Sequence, residues 1–309
     1  MITVARLLHR WATRSRPTAA PSPLRPEALP PGTRLGDLCI ERPIGRGATG
    51  ALYAASDAAG QTLFAVKVLC PGAAGGDAQS ELEARTGFLQ AAERASQLVH
   101  PGIVRVFGGG SVQGLAFVVM ELLPGTDLTR YTQPARLLPE AVALSLAARL
   151  AEALAHAHRS GVVHRDVKPA NVMFDAPTGS LRLTDFGLAR SVDAEATRSG
   201  VLLGSPAYMA PELLAGSRAN AHSDLYALGV LLFELLTGRL PYAGDSMGAL
   251  LRAMATQAPQ SVRSLRPDLP AKLGASLDAV LALVLARAPA DRLGDGDVWA
   301  HALRQAMPL

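Results

Sequence analysis

The sequence predicts an α+β chain in two lobes, a small β-rich lobe with one main helix followed by a larger α-helical lobe. Three observations carry this. From Leu35 to about Met120 short apolar segments alternate with glycine and aspartate turns, which is strand patterning. Pro124-Gly125 interrupts that pattern, and residues 121–125 read as the break between the two lobes. Beyond it the chain is helical, and residues 222–237 (HSDLYALGVLLFELLT) are apolar on nearly every face, so this helix must lie in the middle of a domain.

The elements follow in order. Residues 1–16 (MITVARLLHRWATRSR) carry Val4, Leu7, Leu8 and Trp11 at helical spacing, with Arg6, Arg10 and Arg14 at i, i+4 and i+8. This is either a frayed tail or a short basic amphipathic helix that lies on an anionic membrane or docks a partner. Six prolines between Pro17 and Pro31 make an extended linker, so residues 1–33 are expected to be disordered and a folded domain to begin at residue 34. Leu38–Ile44, Ala51–Ala55 and Leu63–Leu69 read as consecutive strands with turns at 45–50 and 57–61. Residues 78–98 read as a helix, then Ile103–Phe107 and Ala116–Met120 as two strands. The first lobe is thus 34–120 and the second 126–309. Pro139–His158 is alanine- and leucine-rich, with Pro139 at the first helical position and Gly161 beyond its end. Leu181–Thr184 is a short strand, and residues near 245–256, 275–287 and 297–306 are helical.

Composition narrows the function classes. At 309 residues, 49% hydrophobic and 18% charged, the chain has the apolar material for a large core, which excludes disorder as its main state. Two cysteines, Cys39 and Cys70, exclude a disulfide scaffold and a four-cysteine zinc site and fit reduced thiols in the cytoplasm. No apolar run reaches the ~18 residues of a membrane span, and the N-terminus lacks an uninterrupted apolar stretch of the secretory kind. The net charge is +4. Residues 1–34 hold six arginines and one acid, +5, so the remaining 275 residues sum to −1 and nucleic acid is not the expected partner.

Rarity points to chemistry. Only Lys67, Lys168 and Lys272 are lysines among 30 basic residues, and only Asn171 and Asn220 are asparagines. Gly45-Arg46-Gly47-Ala48-Thr49-Gly50 lies between two strands, where glycines let backbone N–H groups approach phosphates. Lys67 lies in an apolar strand, a costly place for an ammonium without an anionic partner. The octet His164-Arg165-Asp166-Val167-Lys168-Pro169-Ala170-Asn171 is followed by Asp185-Phe186-Gly187 after a short strand. Two carboxylates and a carboxamide in neighbouring loops can hold Mg²⁺ and accept a hydroxyl proton.

With these residues in this order the sequence resembles the eukaryotic-type (Hanks-type) serine/threonine protein kinases, in their bacterial branch. The matching motifs are GRGATG, AVK, HPGIV, HRDVKPAN, DFG, GSPAYMAPE and SDLYALG, spread from about Leu35 to Met307. The resemblance implies the protein kinase fold and an ATP- and Mg²⁺-dependent transfer to Ser/Thr hydroxyls of protein substrates, in the service of signal transduction. It implies that Ile44, Gly45, Arg46, Gly47, Ala48, Thr49, Gly50 and Leu52 cover the ATP phosphates and that Lys67 holds them. Leu52 and Ala65 would sandwich adenine, with Met120 as gatekeeper and Glu121 to Leu123 as the hinge whose backbone reads its edge. Asp127 falls where an acid meets ribose or a basic substrate side chain. Asp166 is implied as catalytic base, Lys168 as neutralising the γ-phosphate, and Asn171 and Asp185 as Mg²⁺ ligands. Asp224 would brace the His164-Arg165 backbone, and Glu212 would pair with Arg292. Thr197 and Ser199 are the expected regulatory autophosphorylation sites, with Arg165 as phosphate partner.

One departure stands out. Members of the family pair the strand lysine with a helix glutamate nine residues before the His of the HP motif, and counting back from His100 gives Ala91. Glu93 is about 200° and Glu83 about 80° away round an ideal helix. Two further readings follow: a nucleotide-binding pseudokinase scaffold acting through protein interactions, motivated by Ala91, and a small-molecule phosphotransferase on a related fold. No transmembrane or sensor segment follows Arg292 in this sequence, so input is expected from the basic tail, from partners or from autophosphorylation.

Overall fold

In a computed structural model, residues 25–47, 50–70, 78–187 and 206–306 are described. They divide into two compact units. The first takes the described residues up to Val99 together with Val104–Leu123 and Gly187; the second takes His100–Ile103, Pro124–Phe186 and the described residues from Pro206 onward.

The first unit is a six-stranded antiparallel sheet with one helix. Its strands are β1 (Arg34–Leu35), β2 (Leu38–Gly47), β3 (Gly50–Ser56), β4 (Leu63–Leu69), β5 (Val106–Val112) and β6 (Leu115–Glu121), in the order β1-β2-β3-β4-β6-β5. Alternation builds its core. Tyr53, Ala55, Val66, Val68, Phe117 and Val119 sit at period two on three neighbouring strands and bury one face, with Leu29, Leu35, Leu38 and Ile40 packed onto it. Helix α1 (Ala78–Ser96) buries Phe88, Ala92 and Ala95, which share a face at i, i+4 and i+7.

Two expectations change here. Residues 25–33 are held rather than free. The Tyr53 hydroxyl donates to Pro26 O at 2.9 Å and accepts from Leu29 N–H at 3.1 Å, and Leu29 is buried. One apolar anchor and a two-way hydroxyl suffice because the surrounding prolines have little freedom to lose. The strand read at Ile103–Phe107 begins instead at Val106 and runs through Gly108-Gly109-Gly110. Three glycines resemble a loop, but a Cβ on Gly109 would lie 3.0 Å from Phe117 O and 3.1 Å from Leu89 Cδ2, so α1 and β6 crowd this position and favour glycine.

The second unit is helical around a small sheet. Strands β7 (Thr126–Asp127), β8 (Val172–Asp175) and β9 (Ser180–Leu183) pair antiparallel. Its helices are α2 (Glu140–Arg159), α3 (Pro211–Leu214), α4 (Ala221–Thr237), α5 (Met247–Thr256), α6 (Val262–Leu265), α7 (Ala271–Val284) and α8 (Gly296–Ala306). Pro139 caps α2 rather than opening it, and α7 starts four residues before the expected 275. Helix α4 is the centre, buried from Ser223 through Phe233. Asn220 and Ser223 close a reciprocal capping box at its start, and Gly238 at φ 67° ends it. The absence of an apolar stripe is itself the reason for its place, since no face of it suits water. No helix among the described residues is long and apolar enough to cross a membrane.

Candidate active site

The first unit carries one set of the candidate side chains. Directly opposed residues of antiparallel strands share a sheet face. Gly45 opposes Leu52, Leu52 opposes Lys67, Lys67 opposes Val118, and Ala65 opposes Met120. Gly45, Leu52, Ala65, Lys67 and Met120 therefore lie together on the face opposite the Tyr53–Phe117 core. Lys67 is 7% exposed. Gly50 is required where it stands, because a Cβ there would fall 2.2 Å from Val68 O. Ile44, Arg46 and Gly47 continue β2 on its exposed end. Ala48 and Thr49 lie outside the described residues.

Glu121 ends β6, and its carboxylate accepts from Arg105 N–H at 2.7 Å, which leaves the Leu122-Leu123 backbone to follow. On α1, Ala91 is half-buried beside the Phe88–Ala92 face, while Glu83 and Glu93 are exposed; Glu83 accepts from the Gln79 side chain at 2.8 Å.

The second unit carries the other set. Val163 to Asn171 is a loop between α2 and β8 whose backbone is fixed from three sides. Asp224, 1% exposed near the start of α4, accepts from His164 N–H (2.8 Å, Oδ2), Arg165 N–H (2.7 Å, Oδ1) and His158 Nε2 (2.8 Å, Oδ2). His164 Nδ1 accepts from Asp166 N–H at 3.2 Å, so its Nε2 is the nitrogen that carries hydrogen, and it donates to Thr184 O at 2.7 Å. Thr184 N–H donates to Asn171 O at 2.8 Å, and Phe186 meets the His164 ring edge-on at 4.6 Å. Arg165 and Asp185 sit at φ 76° and 65°, a left-handed conformation that non-glycine residues rarely adopt; Arg165 is held in it by the Asp224 carboxylate on its N–H.

This frame aims the polar heads. Asn171 Nδ2 donates to Asp166 O at 2.7 Å and to Asp166 Oδ2 at 2.9 Å. Both amide hydrogens are used, which leaves the carboxamide oxygen as an acceptor for a cation. Lys168 Nζ lies 2.7 Å from the same Asp166 Oδ2, and among the described residues Oδ1 has no hydrogen-bond partner. A carboxamide oxygen and the Asp185 carboxylate are hard oxygen donors, the set that suits Mg²⁺ when phosphate oxygens complete its shell. Asp127 caps the short turn after β7, accepting from Thr129 N–H at 2.9 Å.

Two supports were not legible in the motifs. His158 stands on the last turn of α2, and a polar residue at the end of an apolar helix carries no signal of its partner. Tyr208, half-buried, donates its hydroxyl to Glu234 Oε2 of α4. Burial pushes the Glu234 carboxyl above its usual range, and this hydrogen bond only partly offsets it. The Glu212–Arg292 pair forms as expected, bidentate at 2.7 Å on both arms, with Ser223 Oγ adding 2.9 Å. Burial pushes Glu212 up, but the Arg292 hydrogen bond and charge, with a backbone hydrogen bond and Ser223, together outweigh it and hold the carboxyl below the ordinary value. Thr197 and Ser199 lie outside the described residues.

The family model for the protein kinase domain matches residues 38–305. This chain belongs to the protein kinase family. As a kinase domain it is 35% identical over 272 residues to serine/threonine-protein kinase PknJ of Mycobacterium tuberculosis, covering 87% of this chain and 45% of PknJ. It is 35% identical over 233 residues to serine/threonine-protein kinase PrkC of Bacillus subtilis, covering 75% of this chain and 35% of PrkC. The kinase chain thus spans less than half the length of these relatives. Its fold is that of the crystal structure of Rad53 1-466 in complex with AMP-PNP, with a TM-score of 0.69, 22% identity, and coverage of 86% of this chain and 65% of that one.

Proposed function

We propose that the chain is a serine/threonine protein kinase that transfers the γ-phosphoryl of ATP to hydroxyls of protein substrates. The carrying observation is Asp166. Its Oδ2 is occupied by Lys168 and Asn171 while Oδ1 has no partner among the described residues, so a hydroxyl placed there gives up its proton as its oxygen forms the new bond to phosphorus. The bond from the γ-phosphorus to the bridging oxygen breaks, and ADP leaves. Lys168, beside Asp166, neutralises charge on the transferred group, and Lys67, on the sheet face with Leu52 and Ala65, holds the phosphates while those two clasp adenine. Mg²⁺ held by Asn171 and Asp185 would supply further neutralisation of phosphate charge. Ile44 to Gly50 form the phosphate cover, with the Glu121–Leu123 backbone on the adenine edge.

A protein rather than a metabolite as acceptor is supported by the cleft that Asp166 lines together with Tyr208, Met209 and Leu213, from the GSPAYMAPE segment and α3. Autophosphorylation at Thr197 or Ser199, paired by Arg165, is the proposed regulation. Free thiols at Cys39 and Cys70 support a cytoplasmic setting. Residues 1–16 are proposed to dock the chain peripherally to a membrane or partner; unchanged localisation after deletion of residues 1–32 refutes that.

The test of the main reading is intact-mass spectrometry before and after Mg·ATP, beside Asp166→Asn. Phosphate on the wild type alone supports it. ATP binding with no added mass in either protein returns the scaffold reading that Ala91 motivates.

A further inference from the structure

The segment His100-Pro101-Gly102-Ile103 packs within the second unit against α2 and β9. His100 stacks on His156 of α2, with ring centroids 5.2 Å apart and planes at 29°. Its Nδ1 accepts from Gly102 N–H at 3.0 Å. Gly102 O in turn accepts from Leu183 N–H at 2.8 Å, Ile103 bridges Leu183, and Arg182 donates to Pro101 O. The turn is tight, since a Cβ on Gly102 would lie 3.0 Å from Ala153 Cβ and 3.2 Å from His100 Nδ1. Leu183 leads directly to Thr184, which is tied to Asn171 and His164, and then to Asp185. A continuous chain of contacts therefore runs from one imidazole nitrogen to the strand that delivers Asp185.

That nitrogen works only while it is an acceptor. A second proton would make His100 Nδ1 a donor aimed at another donor, the Gly102 N–H, and either the ring or the turn must give way. The titratable and charged groups facing the ring are His156, Glu152 and Arg159 of α2 and Arg182 of β9; Glu152 also pairs with Arg304 of α8, and Arg159 with Asp297. Burial, then His156, opposes a proton on His100, and Arg159 and Arg182 add to this; Glu152 alone favours it. The ring is accordingly held neutral to a lower pH than an ordinary histidine.

We propose that His100 is a positioning residue and that the His100–His156 pair makes the seating of β9 acid-sensitive: the neutral ring holds the Gly102 turn, and protonation releases it and lowers phosphoryl transfer. Only the last link rests on the kinase reading.

The test uses the full chain with isotope-labelled histidine, followed by NMR from about pH 8 to about pH 5, the span in which imidazole titrates. The His100 ring is expected to titrate below the ordinary value, and Leu183 amide exchange to rise with the same midpoint. His100→Asn keeps an acceptor that does not titrate, so wild-type kcat should fall about tenfold over this span and the variant less than about threefold. His156→Phe keeps the stack without the neighbouring imidazole and should move the His100 midpoint upward. Leu183 exchange that ignores the His100 midpoint, or an acid limb unchanged in His100→Asn, overturns the proposal. If no variant transfers phosphate at any pH, the kinase reading fails, while the NMR titration and exchange still decide whether His100 seats β9.

Discussion

Asp224 and His158 are 66 residues apart in sequence and 2.8 Å apart in space, and their contact completes a three-donor shell on one buried carboxylate. The other two donors are the backbone N–H groups of His164 and Arg165, directly before Asp166. The position of the proposed base is thus set by a side chain on α4, which is itself oriented by a side chain on α2.

Asp224→Ala leaves two buried N–H groups without an acceptor. It is expected to cost about 1–3 kcal/mol for each, seen as a lowered Tm, with kcat reduced. His158→Gln, which can still donate, should lose much less than His158→Ala in both readings.

Asp166→Asn preserves volume and removes the proton acceptor. Phosphotransfer should fall about 10²–10⁴-fold, with ATP affinity measured by calorimetry little changed. A parallel loss of ATP binding would show that Asp166 acts in nucleotide binding.

The Glu212–Arg292 pair predicts a pH window. The folded carboxyl lies below its ordinary value of 4.5, so its contribution is complete above 4.5 and is lost as pH falls through the folded value. Arg292→Gln strands a mostly buried carboxylate. It should cost about 3–5 kcal/mol at neutral pH and flatten the acid limb of Tm against pH.

Glu234 carries the opposite sign. Burial raises its carboxyl, so the folded state binds a proton more readily than the unfolded state and this group opposes folding above its folded value. Glu234→Gln is expected to raise Tm at neutral pH. Tyr208→Phe, which removes the hydroxyl donor, should lower it by a few degrees, corresponding to about 1–3 kcal/mol. Differential scanning calorimetry of both variants at neutral and acidic pH checks the pair.

Local patterning was the legible part of the fold. Period two in β3 and β4, and the uniform apolarity of α4, report directly on which faces lose water. Leu63–Leu69 was read with its observed ends for that reason. The misplacement of β5 had a partly nonlocal cause: Gly109 is crowded by Phe117 of the adjacent strand and by Leu89, which lies 20 residues back on α1. Leu29 was hidden in the same way, since its anchor is the Tyr53 hydroxyl 24 residues on.

The candidate groups stood out because rare residues in a set order carry them: Lys67, Asp166, Lys168, Asn171 and Asp185 were proposed from motifs and from the family resemblance those motifs carry. Letters could not say that Asn171 spends both amide hydrogens on Asp166, that Oδ1 of Asp166 has no partner among the described residues, or that Asp224 gathers donors from α2 and the loop before Asp166. Those are statements about individual atoms within 3 Å, contributed by segments 60 or more residues apart in the case of Asp224 with His158 and His164. Composition and periodicity report which surfaces avoid water, whereas hydrogen-bond direction is settled only when packing brings a particular donor to a particular lone pair.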